Sequence, residues 1–295
     1  MSIAVYWETW SGKNLLDIDP AVSIVYLAFA DPKTTYKSGS YKFDGTGLDF
    51  NESFDAIKSK ITTLSARGTK VILSVGGASY KFPNPFDATA SVALMKDLGC
   101  AGIDIDWEPD NGIQSAGDFG PLIGEFRRHD DKMYLSAACW SVGAFGPKQG
   151  NDFFGLNIPG METNGGQLSW INIMAYDAGP GFDAVGALEC YRIYYKGPLL
   201  VGIQLGTQGW GGGITTDQDI KKVLAGAKRD GNAGIFIWSY NKDTTGSPTV
   251  AATIIEAKSV LGNTLQKPPP PKSSTSPFAL TCPNCSKKLV GEISF

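Results

Sequence analysis

The chain has 295 residues, a formal net charge of −3 and 19% charged residues. A weakly acidic chain without a long basic run does not suit nucleic acid, and no apolar stretch reaches the length of a membrane span. With 42% hydrophobic residues the chain can build a sizeable core, as one large domain or two small ones. We therefore expect a monomer that binds neither nucleic acid nor membrane and acts on a neutral substrate.

Eight short apolar runs, rich in Val, Ile and aromatic residues and bounded by Gly, Pro, Asn or Asp, are typical of strands. The runs are Ile3–Glu8, Ile24–Ala30, Lys70–Gly77, Gly102–Glu108, Met133–Trp140, Trp170–Asp177, Leu199–Leu205 and Gly234–Tyr240. Three segments between them carry apolar residues at helical spacing. These stripes are Phe54, Ile57, Ile61 and Leu64, then Val92, Leu94, Met95 and Leu98, then Ile220, Val223, Leu224 and Ala227. The first connection, residues 9–23, is short and only weakly helical.

Eight strands that alternate with helices over about 260 residues predict a (β/α)8 barrel. A doubly wound open sheet is the alternative. It is disfavoured because the turn after the first strand, Glu8–Gly12, reads ETWSG and lacks the glycine-rich pattern that binds a phosphate.

The predicted barrel occupies residues 1–264 and is followed by a Pro/Ser-rich linker at 265–278. The tail, residues 279–295, is too short for a core of its own, and we expect it to be disordered. Cys282 and Cys285 form a C-x-x-C in this tail. One such pair supplies two of the four ligands of a zinc site, so half a zinc site, a local disulfide and no site at all remain open. We expect no metal or cofactor in the functional site.

The remaining cysteines and the start of the chain bear on its compartment. Cys100, Cys139 and Cys190 lie in or beside apolar segments, which favours small buried residues over disulfides. No basic segment or cleavage site precedes the apolar run Ile3–Trp7, so the sequence displays no export signal. Localisation is not predicted from these features.

The run Gly102–Glu108 holds three carboxylates at alternate positions. Successive side chains of a strand point to opposite faces, so Asp104, Asp106 and Glu108 share one face. Buried carboxylates are costly to ionise, and like charges this close cannot all ionise freely. Such a row indicates groups that hold protons for acid chemistry. A solvated strand face or a metal site is the alternative interpretation.

Reactive groups of a (β/α)8 barrel lie at the carboxyl ends of its strands. Acids, phenols and one indole occupy those ends here, which suits a polyhydroxylated ring, since aromatic faces stack on sugars and carboxylates act on the glycosidic oxygen. The side chains concerned, with their neighbours on the same strands, are Tyr6, Ser74, Asp104, Asp106, Glu108, Met174, Tyr176, Asp177 and Trp238.

Four motifs, in the expected order, resemble those of glycoside hydrolase family 18, the chitinases. Ser74–Gly77 resembles the family's S-x-G-G, Gly102–Glu108 its D-x-x-D-x-D-x-E, and Met174–Asp177 its M-x-Y-D. The strand that carries Trp238 resembles the family's eighth strand. The resemblance spans about residues 3–260 and implies a (β/α)8 barrel.

The sequence departs from the family pattern at two positions. Ala101 stands where the long motif begins with Asp, and Pro109 follows Glu108 where Tyr is common. The last three acids of the motif carry the chemistry, so the first departure bears on a structural contact more than on activity.

The resemblance implies a catalytic role for four residues. Glu108 is the expected general acid, and the substrate's own N-acetyl group is the nucleophile, which gives an oxazolinium intermediate and retention. Asp106 is expected to hold the acetamido N–H and to share a proton with Asp104. Tyr176 is expected to hydrogen-bond the acetamido oxygen.

Five further residues are expected to bind or support the substrate site. Trp238 is expected to form the floor under the reacting sugar, and Asp177 to contact sugar hydroxyls. Met174 is expected beside them, while Tyr6 and Ser74 support Asp104.

The predicted function is therefore cleavage of chitin or chitooligosaccharides at internal β-1,4 linkages, by a secreted enzyme if it follows its family. Residues 206–233 leave no room for the inserted small domain of family members with deep clefts, which favours an open groove and internal cleavage. An endo-β-N-acetylglucosaminidase acting on N-glycans is the first alternative, disfavoured by the presence of Trp107 and Trp238. A chitin-binding lectin is the second, disfavoured by intact Asp106, Glu108 and Tyr176.

Overall fold

Eight parallel strands close into a barrel in chain order, as the sequence predicts. The structure is a computed structural model that describes residues 1–108, 119–146, 148, 153–179, 181–242, 246 and 248–262, together with the backbone of 275–281 and 288–294. The barrel strands are β1 Ile3–Glu8, β2 Ile24–Ala30, β3 Lys70–Gly76, β4 Gly102–Asp106, β5 Tyr134–Trp140, β6 Trp170–Met174, β7 Leu199–Gln204 and β8 Ala233–Trp238. β8 pairs with β1 in parallel, which closes the barrel.

Within the described residues, α-helices connect successive strands from β2 onwards. They are α1 Phe54–Ala66, α2 Thr89–Leu98, α3 Gly120–His129, α4 Ile158–Asn164, α5 Ala184–Tyr194, α6 Asp217–Asp230 and α7 Val250–Leu261. The connection from β1 to β2 has only short 3-10 turns, at Thr9–Ser11 and Leu15–Asp17. This confirms that the first connection is short and weakly helical.

Local sequence explains where these helices begin and what they bury. The Ser53 side chain accepts a hydrogen bond from the Ala56 backbone N–H at the start of α1, and Thr216 caps α6 through Asp219 in the same way. α6 ends at Gly231, whose positive φ of 78° suits a residue without a side chain. The three predicted apolar stripes are the buried faces of α1, α2 and α6, which confirms them.

Alternation along the strands separates two cores. On β4 and just beyond it, Ile103, Ile105 and Trp107 join the apolar layer shared by strands and helices, as predicted. Trp107 is buried there against Phe119, with ring centroids 6.4 Å apart. A second cluster, contributed by the other strand faces, fills the barrel interior. It contains Ala4, Tyr6, Ile24, Tyr26, Ala28, Ile72, Trp170, Leu200, Phe236 and Trp238.

Three strands end two or three residues earlier than their apolar runs suggest. β4 ends at Asp106, β6 at Met174 and β8 at Trp238. The prediction that Glu108, Tyr176 and Tyr240 close their strands is therefore wrong in detail, because the chain leaves the parallel ladder at the mouth. Asp177, at the end of the predicted sixth strand, also lies in the bend after β6.

The tail contains paired backbone where the sequence predicts disorder. β9 Thr275–Thr281 and β10 Lys288–Ser294 form an antiparallel two-stranded sheet, and β9 begins inside the predicted linker. The C-x-x-C and residues 265–274 of the linker lie outside the described residues.

The thiols of Cys100 and Cys139 are free and buried, as expected, whereas Cys190 is free and half-buried. Burial raises the pKa of the Cys100 and Cys139 thiols well above the usual range, so both are unreactive packing groups. Across the part of the chain that the structure describes, every helix is too short or too polar to cross a bilayer.

Substitution of a fully buried residue on α1 tests this packing. Ile61 has no exposed surface, and Ile61→Ala should lower the free energy of unfolding by about 2–5 kcal/mol because it removes buried methyl groups and leaves a cavity. The adjacent exposed residue provides the control, and Thr62→Ala should change stability by about 0.5 kcal/mol or less. Urea unfolding followed by circular dichroism measures both, and equal effects would contradict the placement of the stripe.

Candidate active site

A fully buried carboxylate, Asp104, lies in the barrel interior and accepts four hydrogen bonds. Its Oδ2 accepts from the Tyr6 hydroxyl and the Ser74 hydroxyl, each at 2.8 Å. Its Oδ1 accepts from the Ser136 hydroxyl at 2.6 Å and from Asn172 Nδ2 at 3.1 Å. Burial raises the pKa of Asp104, while these four donors act in the opposite direction. The predicted contacts of Tyr6 and Ser74 with Asp104 are therefore present.

A relay of buried polar groups orients the donors of Asp104. Trp170 Nε1 donates to the Tyr26 hydroxyl at 2.6 Å, and this hydroxyl donates to Asn172 Oδ1 at 2.9 Å. Because the Asn172 oxygen is occupied by a donor, its amide nitrogen faces Asp104 and the Tyr6 hydroxyl. Tyr6 and Tyr26 also stack, with centroids 4.4 Å apart.

Two glycines let β3 approach β4 closely beside the acids. Gly76 has a φ of +111°, and a side chain there would collide with the Asp106 carbonyl oxygen. The Gly77 N–H donates to that oxygen at 2.8 Å, also with a positive φ, of 87°. Only glycine meets both demands, which gives the Ser74–Gly77 motif its physical reason.

Asp106 is buried directly beyond Asp104 and keeps one oxygen without a hydrogen bond. Oδ1 has no partner among the described residues, although only 3% of the residue is exposed. Burial, followed by the nearby charges of Glu108 and Asp104, raises the pKa of Asp106 well above its usual range. Four donors from other residues occupy the oxygens of Asp104. The expected sharing of a proton between Asp104 and Asp106 stays a prediction.

Glu108 is half-buried at the outer end of the row of acids. Its Oε2 accepts from Trp140 Nε1 at 3.2 Å, and Lys81 Nζ lies 3.5 Å from its backbone oxygen. Burial raises the pKa of the Glu108 carboxyl, and the Trp140 indole and the Lys81 charge partly offset this. The environment thus favours a protonated carboxyl at the mouth of the barrel.

Tyr176 lies beside these acids although it is not part of β6. Its ring meets Phe236 edge-on at 6.0 Å and fits over Gly202, where any side chain would collide with it. Burial and the proximity of Asp106 and Glu108 raise the pKa of Tyr176, so its hydroxyl is a proton donor at neutral pH. Met174 is half-buried against the interior cluster.

Four aromatic rings form a row across the mouth, which we call the aromatic row: Trp10, Phe29, Trp238 and Trp210. Trp238 is 8% exposed and stacks on Phe29 at 5.6 Å with an interplanar angle of 25°. Trp10 and Trp210, at the two ends, are 46% and 63% exposed. The mouth thus combines acids with exposed aromatic faces.

The Asp177 carboxylate is engaged by the segment after β7. Oδ2 accepts from Trp210 Nε1 at 2.9 Å, and Oδ1 accepts from Gln204 Nε2 and from the Gly213 N–H, each at 2.9 Å. Asp177 is therefore placed at the mouth, as the sequence predicts, with protein donors on both oxygens.

One group of described residues approaches closely enough to share an ion. Asp87, Glu125 and His129 bring their ligand atoms within 4.8 Å of one another. Ordinary contacts account for this arrangement, since Glu125 pairs with Arg128 and accepts from His129 Nε2 at 3.1 Å. None of the three interacts with the row of acids.

The family model described as "Glycosyl hydrolases family 18" matches residues 2–189, well over half of the chain. The chain belongs to glycosyl hydrolases family 18. The match includes the S-x-G-G, acidic and M-x-Y-D segments that the resemblance rests on.

Two curated relatives of this family 18 chain are named as chitinases. The "Chitinase" of Plasmodium falciparum is 26% identical over 157 residues, covering 43% of this chain and 40% of the relative. The "Class V chitinase" of Arabidopsis thaliana is 25% identical over 199 residues, covering 62% of this chain and 50% of the relative. The chain therefore spans half or less of the length of these relatives.

Solved structures share the fold at low sequence identity. A family 18 chitinase from Pseudoalteromonas aurantia has a TM-score of 0.63 at 18% identity, covering 88% of this chain and all of that one. A catalytic domain of a Group II chitinase from Ostrinia furnacalis, in complex with (NAG)5, has a TM-score of 0.66 at 16% identity. The match covers 92% of this chain and 98% of that domain. A fungal endo-β-N-acetylglucosaminidase of family 18 has a TM-score of 0.62 at 16% identity, and the match covers 86% of this chain and 96% of that one.

All nine residues that the sequence singles out lie in the barrel interior or at its mouth. Sequence analysis missed Ser136 and Asn172, which complete the set of donors to Asp104, and the contact of Trp140 with Glu108. The two polar residues carry a readable signal, because each is a lone polar side chain between apolar neighbours on a buried strand. Trp140 carries none, since its partner lies 32 residues away in the chain.

Proposed function

We propose that this chain is a retaining, endo-acting chitinase that cleaves β-1,4-linked N-acetylglucosamine polymers by substrate-assisted catalysis. The observation that carries the proposal is the row of three carboxylates. Its members change from buried and fully hydrogen-bonded Asp104, through Asp106 with a free oxygen, to half-buried Glu108 at the mouth. Such a gradient places proton-holding groups next to the space a sugar can enter.

Glu108 is the general acid in this proposal. Its carboxyl is accessible from the mouth, and burial raises its pKa, so a fraction stays protonated near neutral pH and can protonate the leaving glycosidic oxygen. The Trp140 hydrogen bond to Oε2 fixes one oxygen of the carboxyl and leaves the other for substrate.

Asp106 and Tyr176 act on the acetamido group of the reacting sugar. The unpartnered Oδ1 of Asp106 can accept the acetamido N–H, which orients the carbonyl for attack on the anomeric carbon. The Tyr176 hydroxyl, kept neutral by its raised pKa, can donate to the acetamido oxygen. No second carboxylate is then needed as nucleophile.

Internal cleavage is supported by the short connection between β7 and α6. β7 ends at Gln204 and α6 begins at Asp217, which leaves 205–216 as the connection. These residues hold a loop and no extra domain, which favours a shallow groove over a deep, enclosed cleft. An open groove admits a polymer along its length.

The names of the relatives agree with a chitin-type substrate. Curated relatives are called chitinases, and the Ostrinia furnacalis domain holds (NAG)5. The fungal endo-β-N-acetylglucosaminidase has a similar fold, so cleavage of N-glycans is a separate outcome of the tests below.

Glu108→Gln should reduce kcat on chitohexaose by at least about 10²–10⁴, because the amide cannot supply the proton. Binding of chitohexaose, measured by titration calorimetry, should persist. Glu189→Gln, at an exposed position on α5, is the matched control and should retain full activity. A Glu108→Gln variant that keeps more than a tenth of the wild-type kcat would remove Glu108 from the role of general acid.

The first product should carry the β-anomeric configuration, since attack by the acetamido carbonyl followed by water inverts the anomeric carbon twice. Proton NMR of freshly cleaved chitohexaose measures this, and an initial α-anomer would exclude the mechanism. Release of intact glycan from a glycoprotein without cleavage of chitohexaose would instead indicate the glucosaminidase activity. Binding without any turnover would indicate a lectin.

Trp140→Phe should move the alkaline limb of the kcat/KM pH profile upward. The indole N–H favours the ionised form of Glu108 and lowers its pKa, so its loss raises that pKa and the acid form persists to higher pH. Trp10→Phe, which changes an indole that does not contact Glu108, should leave the alkaline limb in place. A downward shift or an unchanged limb in Trp140→Phe would contradict this role of the indole.

A further inference from the structure

Trp210 is an exposed tryptophan that is nevertheless held in a defined place. Trp210 is 63% exposed, yet its Nε1 donates a hydrogen bond to Asp177 Oδ2 at 2.9 Å. The same ring stacks on Trp238, with centroids 6.5 Å apart and an interplanar angle of 28°. The hydrogen bond and the stacking contact hold the indole in one orientation, and its exposed surface is available to stack on a ligand.

The segment that carries Trp210 has little stiffness of its own. Five of the nine residues at 206–214 are glycine. Glycine leaves the backbone more conformational freedom than any other residue, so outside contacts must hold this segment in place. The contacts come from Asp177, which binds both the Trp210 indole and the Gly213 N–H.

Asp177 is itself held firmly enough to serve as an anchor. Gln204, fully buried at the end of β7, donates to Asp177 Oδ1 and also to the Gly213 carbonyl, each at 2.9 Å. A side chain at Gly212 would collide with the Asp177 carboxylate, so the backbone packs closely against it. Asp177 adopts a left-handed φ of 55°, which a short polar side chain tolerates.

Register connects this anchor to the centre of the aromatic row. Gln204 pairs with Trp238 across β7 and β8. The anchor for Trp210 is thus set by the same strand pair that places Trp238, which fixes the two indoles relative to each other.

We propose that Trp210 is a sugar-binding platform for the N-acetylglucosamine unit adjacent to the one over Trp238, and that Asp177 is the positioning residue that holds it there. The inference rests on the proposed function and deepens it. The apolar C–H face of a pyranose stacks on the exposed indole, while the Asp177 carboxylate is used by Trp210, Gly213 and Gln204 instead of by sugar hydroxyls. Trp210 therefore adds affinity for longer oligosaccharides and contributes nothing to bond cleavage.

The test measures chitohexaose binding in the Glu108→Gln protein and turnover in the active protein. Trp210→Ala should weaken chitohexaose binding about threefold to tenfold and raise KM by the same factor, while kcat stays within twofold. The affinity for N-acetylglucosamine itself, a single unit that does not reach the platform from its place over Trp238, should change less. Ile193→Ala, which removes an equally exposed apolar side chain from α5, should change neither quantity.

A double-mutant cycle tests the role of Asp177 separately. Asp177→Ala should raise KM as Trp210→Ala does, and the double variant should be no worse than either single one, because both changes remove the same platform. Trp210→Phe, which keeps a ring and loses the indole donor, should lie between wild type and Trp210→Ala.

Two results would overturn the inference while the proposed function stands. Unchanged chitohexaose binding in Trp210→Ala would exclude the platform. A fall in kcat on Asp177→Ala that is equally large in the Trp210→Ala background would show that Asp177 acts on the substrate directly. Failure of the wild-type protein to cleave chitohexaose would contradict the proposed function instead, and is seen before any variant of Trp210 is made.

Discussion

The four hydrogen bonds that Asp104 accepts in the barrel interior are the constraint on which the rest of the site depends. A buried carboxylate is tolerated only if its oxygens are satisfied, and the donors here come from four different strands, β1, β3, β5 and β6. A slip of one residue in any of these strands would turn its donor to the outer face. The buried Asp104 carboxyl therefore couples the chemistry of the site to the register of these four strands.

Protonation along β4 follows from that arrangement. Asp104 has its oxygens filled by donors, so it can carry a negative charge inside the barrel, and this charge adds to the rise in the pKa of Asp106. Asp106 and Glu108 then compete to ionise, since each disfavours the charge of the other at close range. Burial, more than any single neighbour, is the largest cause of the raised pKa in all three groups. Burial is thus the main reason why these acids hold protons, and the four donors to Asp104 oppose it there.

The mouth differs from the interior in what holds it together. Inside, parallel ladders and packed rings fix each side chain. At the mouth, individual side chains hold the irregular segments that follow the strands. Glu8, for example, pairs with Lys242 and accepts a hydrogen bond from the Ser239 hydroxyl. The Glu8 N–H also donates to Asn241 Oδ1 at 2.7 Å, which ties β1 to the segment after β8. Asp177 plays the same part between the segments after β6 and β7. The loops at the mouth are held by individual side chains, whereas the acids are held by the barrel strands. The conformation of these loops can therefore change without displacing Asp104 and Asp106.

Local pattern was sufficient to predict the eight strands, the stripes of α1, α2 and α6, and the shared face of Asp104, Asp106 and Glu108. These features repeat with the period of a single element, so they can be read from neighbouring residues. The strand ends of the predicted barrel also placed Trp238 and Tyr176 at the mouth, and the motif resemblance supplied the family and the roles of these residues.

The sequence by itself determined which residues face the interior of each strand, because alternation along a strand is a local property. Only the tertiary structure decided which of them meet. Ser136 and Asn172 join Asp104 because closure of the barrel brings β5 and β6 opposite β1 and β3. Trp140 reaches Glu108, and Trp210 reaches Asp177, over 32 and 33 residues of chain, respectively. No periodic signal records such contacts, since they depend on where irregular segments leave the ends of the strands and on the side chains that hold those segments in place.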